Sequence, residues 1–153
     1  MKGLSELGAT LTGVSQGLVT SMQQLRIHRA MCVHWGYALL SSRLHETLAA
    51  LDGCLDACLL AMLAAETTPD LQGLGRLNVG QTVEEILQSE RRMAVDVRAL
   101  ALAVLKETSL ADAFARRALE ELILVQTRHV AKFDQSLELI RQMGIQSFLA
   151  TRC

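Results

Sequence analysis

The stretch "VQTRHVAKF", residues 125–133, places Gln126 three residues before His129 inside a segment otherwise built from Leu, Ile, Val and Phe. On a helix that spacing puts both side chains on one face, here the face that also carries Leu119, Leu122, Phe133 and Ile140. A Glu-x-x-His pair on the inner face of a helix is one half of a di-iron carboxylate site. Gln126 and His129 therefore read in two ways. They are a ligand pair in which Gln replaces Glu, or two core polar groups that satisfy each other. Leu51-x-x-Cys54 repeats the spacing on an earlier helix, with Cys54 as its only donor. Gln126, His129 and Cys54 make the candidate metal set, which falls short of the four ligands of a closed zinc site. His45-Glu46 begins a zinc-protease-like motif, but the second His would fall on Ala49. His28 and His34, near the end of the first helix, do not share a face and are assigned surface or interface roles. The stretch "GLGRLNVG" has no preceding strand, as a dinucleotide fingerprint requires.

Four long helical segments must position these residues. In the first, Leu4, Leu7, Leu11, Val14, Leu18, Met22 and Leu25 recur at spacings of three and four, and Gly36 supplies a C-terminal cap. Gly3, Gly8, Gly13 and Gly17 weaken its first half, and Gly13 with Gly17 would let another helix approach. The second runs from about residue 39 to 65 on the stripe Leu40, Leu44, Leu48, Leu51, Leu55, Cys58 and Met62. Then comes "TTPDLQGLGRLNVGQ", too long for a tight turn between antiparallel neighbours. The third begins at Thr82, where Thr82 and Glu85 form a capping box. Its stripe is Val83, Ile86, Leu87, Met93, Val97, Leu100 and Val104. The fourth follows a break near 107–109, and the tail after Gly144 is apolar enough for a short fifth helix. One long crossover between two short connections is the layout of a ferritin-like, all-α four-helix bundle, expected as a single domain over residues 1–153.

Composition agrees. Half of the 153 residues are hydrophobic, only 3% are aromatic, and there is one proline, which favours helix over strand. A net charge of −1 with scattered basic residues argues against nucleic acid as a partner. No apolar leader opens the chain, and Asp52 and Asp56 interrupt the most apolar stretch, Leu48 to Ala65, so no membrane span is expected. A cytoplasmic location follows, with Cys32, Cys54, Cys58 and Cys153 as free thiols.

With these elements in place, the chain resembles bacterioferritin over nearly its whole length. The resemblance is carried by "MKG" at the start, by His28, Met31 and Trp35-Gly36, by the crossover "PDLQGLGRLNVGQTVEEIL", by Arg117 and by "LELIRQMGIQSFL". It implies subunits that pair about a two-fold axis and build a 24-subunit cage. It also implies a di-iron ferroxidase centre in each subunit and a haem held between two subunits by one Met from each. The family's ligand positions, however, fall on Leu18, on Leu51 and Cys54, on Ala94, and on Gln126 and His129. Only His129 keeps its identity. The haem-ligand position falls on Asp52, which is not expected to bind haem, and Met22 is the one substitute sulfur considered.

None of these ligand positions supplies a negative charge. Two divalent irons in a low-dielectric core without countercharge would cost on the order of tens of kcal/mol. No cofactor is expected within the bundle. Iron belongs in the cage interior, haem is not expected from this subunit, and the ferroxidase is expected to be inactive. The leading expectation is a catalytically silent iron-storage cage subunit that co-assembles with ferroxidase-active, haem-binding subunits. The alternatives are a homomeric cage or dimer with a structural or binding role, and residual metal binding at Gln126, His129 and Cys54.

Overall fold

The computed structural model describes residues 4–153. Met1 to Gly3, where the resemblance begins, and the side chains of Leu4 and Ser5 lie outside the described residues. The described chain forms α1 (Leu4–Trp35), α2 (Ala38–Ala64), α3 (Val83–Lys106), α4 (Ala113–Met143) and α5 (Ile145–Arg152). Short connections make α1 antiparallel to α2 and α3 antiparallel to α4. The crossover, residues 65–82, returns the chain along the bundle, so that α3 starts at the end where α2 started. Each long helix packs on its hairpin partner and on one further neighbour, α1 against α3 and α2 against α4.

The stripes close the core. Leu11, Val14, Leu18 and Leu25 of α1, Leu44 and Leu51 of α2, Ile86 and Leu87 of α3, and Leu119 and Leu122 of α4 are almost fully buried. Each such side chain contributes roughly 1.5 to 3 kcal/mol relative to exposure. Leu100 departs from the expected stripe. It is 39% exposed, at the edge of the stripe that Val97, Ala101 and Val104 bury. By composition α2 is long and apolar enough to cross a membrane. In the bundle its stripe from Leu40 to Met62 is buried, and its exposed face carries Arg43, Glu46, Asp52 and Asp56.

The ends of the helices are specified locally. Gly36 takes φ +83° after α1, a conformation cheap only for glycine. Thr82 accepts the Glu85 N–H, and the Glu85 carboxylate reaches back to the Gln81 N–H, one residue before the expected capping-box donor. The carbonyl of Cys153 accepts the N–H groups of Leu39 and Leu40, so the end of α5 caps the start of α2, which has no side-chain cap of its own. Phe148, fully buried, anchors α5. Close approach in the first half of α1 occurs at Gly8, where a Cβ would lie 1.9 Å from the Thr67 hydroxyl. It does not occur at Gly13, which faces open space, or at Gly17, where α3 makes only ordinary contact at 3.5 Å.

The crossover has no regular structure, so its peptide groups need partners from elsewhere. One face of α1 supplies them at intervals of four residues. Gln16 donates to the Asp70 carbonyl at 3.1 Å, and Thr20 accepts from the Gly75 N–H at 2.8 Å. Gln24 accepts from the Asn78 N–H at 2.9 Å, and His28 Nε2 accepts from the Gly80 N–H at 3.0 Å. Because Nε2 accepts, Nδ1 carries the proton of a neutral ring and donates to Glu90 Oε2 at 3.2 Å. Gln24 Nε2 donates to the same oxygen at 3.1 Å.

This corrects the surface assignment of His28, which is fully buried with Glu90 on α3 at 2% exposure. His34 is exposed, as expected. His28→Ala would leave the Glu90 carboxylate short of a donor and the Gly80 N–H without an acceptor. It is expected to cost about 3 kcal/mol in urea unfolding, the range for breaking a buried pair from one side. Glu90→Gln should cost less, because the amide oxygen can still accept from His28 and Gln24 while the buried charge is gone.

Candidate metal centre

The residues singled out by spacing and by the resemblance lie where the four helices face one another. Leu18, Leu51, Cys54, Ala94, Gln126 and His129 are all at most 5% exposed. Cys54 belongs to the stripe of α2, Ala94 to that of α3, and the Gln126–His129 pair to that of α4. Three of these positions carry hydrocarbon only. Cys54 is a thiol rather than a thiolate at neutral pH, since burial and then the nearby Glu121 push it up to about 11. Burial, followed by Cys54, pushes Cys58 to about 12. A thiol held protonated is a poor ligand.

Gln126 and His129 do meet. His129 Nδ1 lies 3.1 Å from Gln126 Oε1, so the ring donates from Nδ1 to the amide oxygen. The amide nitrogen of Gln126 is buried with no partner, a cost of about 1 to 3 kcal/mol. Burial, and after it the charge of Lys132, lowers His129 from 6.5 to about 4. Among the described residues no three His, Cys, Asp or Glu side chains gather as a metal site would need. This donor set does not fit a di-iron carboxylate centre, which takes four carboxylates and two imidazoles.

The haem-ligand position, Asp52, is exposed on the outer face of α2 beside the exposed Gly53. Met22 cannot substitute there in this fold, because it is buried in the core at 4% exposure. His45 and Glu46 are exposed. The buried polar centre that spacing alone overlooks is His28, Glu90 and Gln24. Two signals for it lie in the sequence. Gln16, Thr20, Gln24 and His28 repeat every four residues, and Glu90 falls between Ile86 and Ala94 on the apolar stripe of α3.

No family model matches the chain. The bacterial ferritin of Synechocystis sp. is 30% identical over 156 residues, covering 99% of both chains. The chain belongs to the bacterioferritin family. The bacterial ferritin of Pseudomonas aeruginosa is 28% identical over 157 residues, again with 99% of each covered. The bacterioferritin of Brucella melitensis is 23% identical over 133 residues, covering 84% of this chain and 80% of the relative. A solved structure of Rhodobacter capsulatus bacterioferritin, described with a metal-free dinuclear site and a haem iron, superposes with a TM-score of 0.94 at 23% identity. It covers 100% of this chain and 96% of its own. In this bacterioferritin-family chain the four-helix scaffold is therefore intact, while its mid-bundle positions carry mostly apolar side chains.

The buried imidazole makes stability depend on pH. The unfolded chain protonates His129 near its ordinary 6.5 and the folded chain only near 4. Between those values the unfolded state binds more protons, so stability falls as pH falls, by roughly 3 kcal/mol in all from this residue. Replacing both partners, Gln126→Leu with His129→Leu, removes the orphaned amide and this pH dependence together. Denaturation at pH 7.5 is expected to find the double variant about 1 kcal/mol more stable than the parent. At pH 4.5 the gap should widen. His129→Leu alone should be less stable than the double variant, with Gln126 left wholly unpaired.

Proposed function

We propose that this chain is a catalytically silent bacterioferritin subunit that contributes to a cytoplasmic iron-storage cage and assembles with ferroxidase-active, haem-binding subunits. The observation that carries the reading is the chemistry of the mid-bundle positions. Leu18, Leu51 and Ala94 have no donor atom, and each is at most 4% exposed. Gln126 keeps an oxygen but no charge, and His129 is held neutral. A subunit of this kind adds shell to the cage and handles iron as cargo at its surfaces, while oxidation of ferrous iron falls to its partners. Exposed apolar side chains on α1 and α2, Ile27, Val33, Leu39, Leu60 and Leu63, support an assembled state, since neighbouring subunits would cover them.

The second reading, a homomeric cage or dimer with a structural or binding role, is favoured by the net charge of −1, because mineral nucleation prefers acidic surfaces. Residual metal binding at Gln126, His129 and Cys54 is the third, and it requires further ligands.

The purified chain is expected to oxidise ferrous iron no faster than buffer. Co-expression with a ferroxidase-competent bacterioferritin should give mixed cages by native mass measurement. Separate populations of the two chains would favour the homomeric reading. Oxidation well above buffer that disappears in His129→Leu would favour residual metal binding. The leucines also predict that this chain, free of metal, melts at least roughly 5 °C above an active relative stripped of iron, on about 2 kcal/mol of extra burial.

A further inference from the structure

α2 carries a line of sulfur along its buried face. Cys54, Cys58 and Met62 follow one another at intervals of four residues, and all three are at most 3% exposed. On a helix that spacing puts neighbouring Cβ atoms roughly 5 to 6 Å apart. A long side chain on a helix leans back over the preceding turn, which carries the Met62 thioether toward Cys58. The two thiols also act on each other: burial first, and then Cys54, raises Cys58. Ser15 on α1 donates to Met62 Sδ at 3.4 Å. That contact fixes the thioether in the core and leaves its second lone pair free.

Two thiols and a thioether are soft donors, which select a cuprous ion over the hard cations that take oxygen ligands. A closed zinc site takes four ligands, whereas a cuprous ion is satisfied by two or three soft ones. Charge points the same way. Two divalent irons bring four positive charges into the apolar interior, but a cuprous ion brings one. It takes the place of one thiol proton, no electron moves, and the net charge of the core stays at zero. The other thiol and the thioether complete the coordination as neutral donors. The proton that keeps these thiols from iron gives way here, because a thiolate holds a soft ion far more tightly than a hard one. We propose that Cys54, Cys58 and Met62 form a binding site for a single cuprous ion on the inner face of α2. The site shares Cys54 with the mid-bundle positions, uses neither Gln126 nor His129, and does not depend on the chain's being catalytically silent.

The full chain, reduced and kept free of oxygen, is titrated against the cuprous bicinchoninate complex, whose colour reports the copper withdrawn. A Cys32→Ala/Cys153→Ser background removes the other two free thiols and should still take up one copper per chain. In that background affinity is expected to fall roughly a hundredfold in Cys54→Ala and in Cys58→Ala, each of which deletes a thiol ligand. It should fall about tenfold in Met62→Leu, which keeps the volume of the core. His129→Leu should leave affinity unchanged. Failure of the background chain to withdraw copper overturns the proposal, as does unchanged affinity in Cys58→Ala. A loss in His129→Leu as large as that in Cys58→Ala also overturns it, by moving the copper to the Gln126–His129 pair. X-ray absorption at the copper edge of the loaded background chain decides the matter without the alanine variants, should these fail to fold. A shell of sulfur alone is expected there, and a shell containing nitrogen overturns the proposal.

Discussion

The bundle depends on the way its crossover is held. A connection that runs the length of a four-helix bundle brings a row of peptide N–H and C=O groups against an apolar core, and those groups cannot bond to one another. α1 answers with Gln16, Thr20, Gln24 and His28, one residue per helical turn, each meeting the strap's backbone. The last rung is coupled to the core, because His28 also serves Glu90 on α3. The strap thus fixes how far α3 sits from α1. At Gly80 there is no room for a side chain, since a Cβ would lie 2.5 Å from the Ile86 amide nitrogen.

Two buried polar centres share this bundle, and they differ in how well they are satisfied. Around His28 the ring uses both nitrogens, and one carboxylate oxygen receives two donors. Around His129 one hydrogen bond links ring and amide, and the amide nitrogen has none. A buried network that is only partly satisfied is worse than an apolar core. The first arrangement is self-consistent without any ligand. The second retains a cost that the surrounding leucines do not relieve.

The helices and their ends were legible because period and punctuation agree. Leu, Ile and Val at spacings of three and four mark the buried stripes, Gly36 and Gly144 fall at helix ends, and Thr82 with Glu85 starts α3. The position of Gln126 beside His129 was legible for the same reason, as both lie on one face of one helix. What escaped was contact across the crossover. His28 looks like a surface residue when judged by its spacing from His34, because its partners come from residues 80 and 90, far along the chain. Gly13 and Gly17 suggested a close helix approach, but that inference needed the path of the strap. The tight contact went to Gly8 and Thr67, while a cavity lies beside Gly13 and Gly17. Likewise, nothing local in the sequence announces that Cys153 caps α2.

The rungs of the strap are unequal. The Gln16–Asp70 bond is exposed, the Thr20 and Gln24 bonds are half-buried, and the His28–Gly80 bond is wholly buried. Opening of the strap should therefore proceed like a zipper from Asp70 toward Gly80. Amide hydrogens near Asp70 would exchange with solvent through brief local fluctuations. The Gly80 amide would exchange only when α1 and α3 part. Such a gradient gives the bundle a loose edge and a locked edge on the same connection, and sets the order in which a protease or a denaturant would first find its way in.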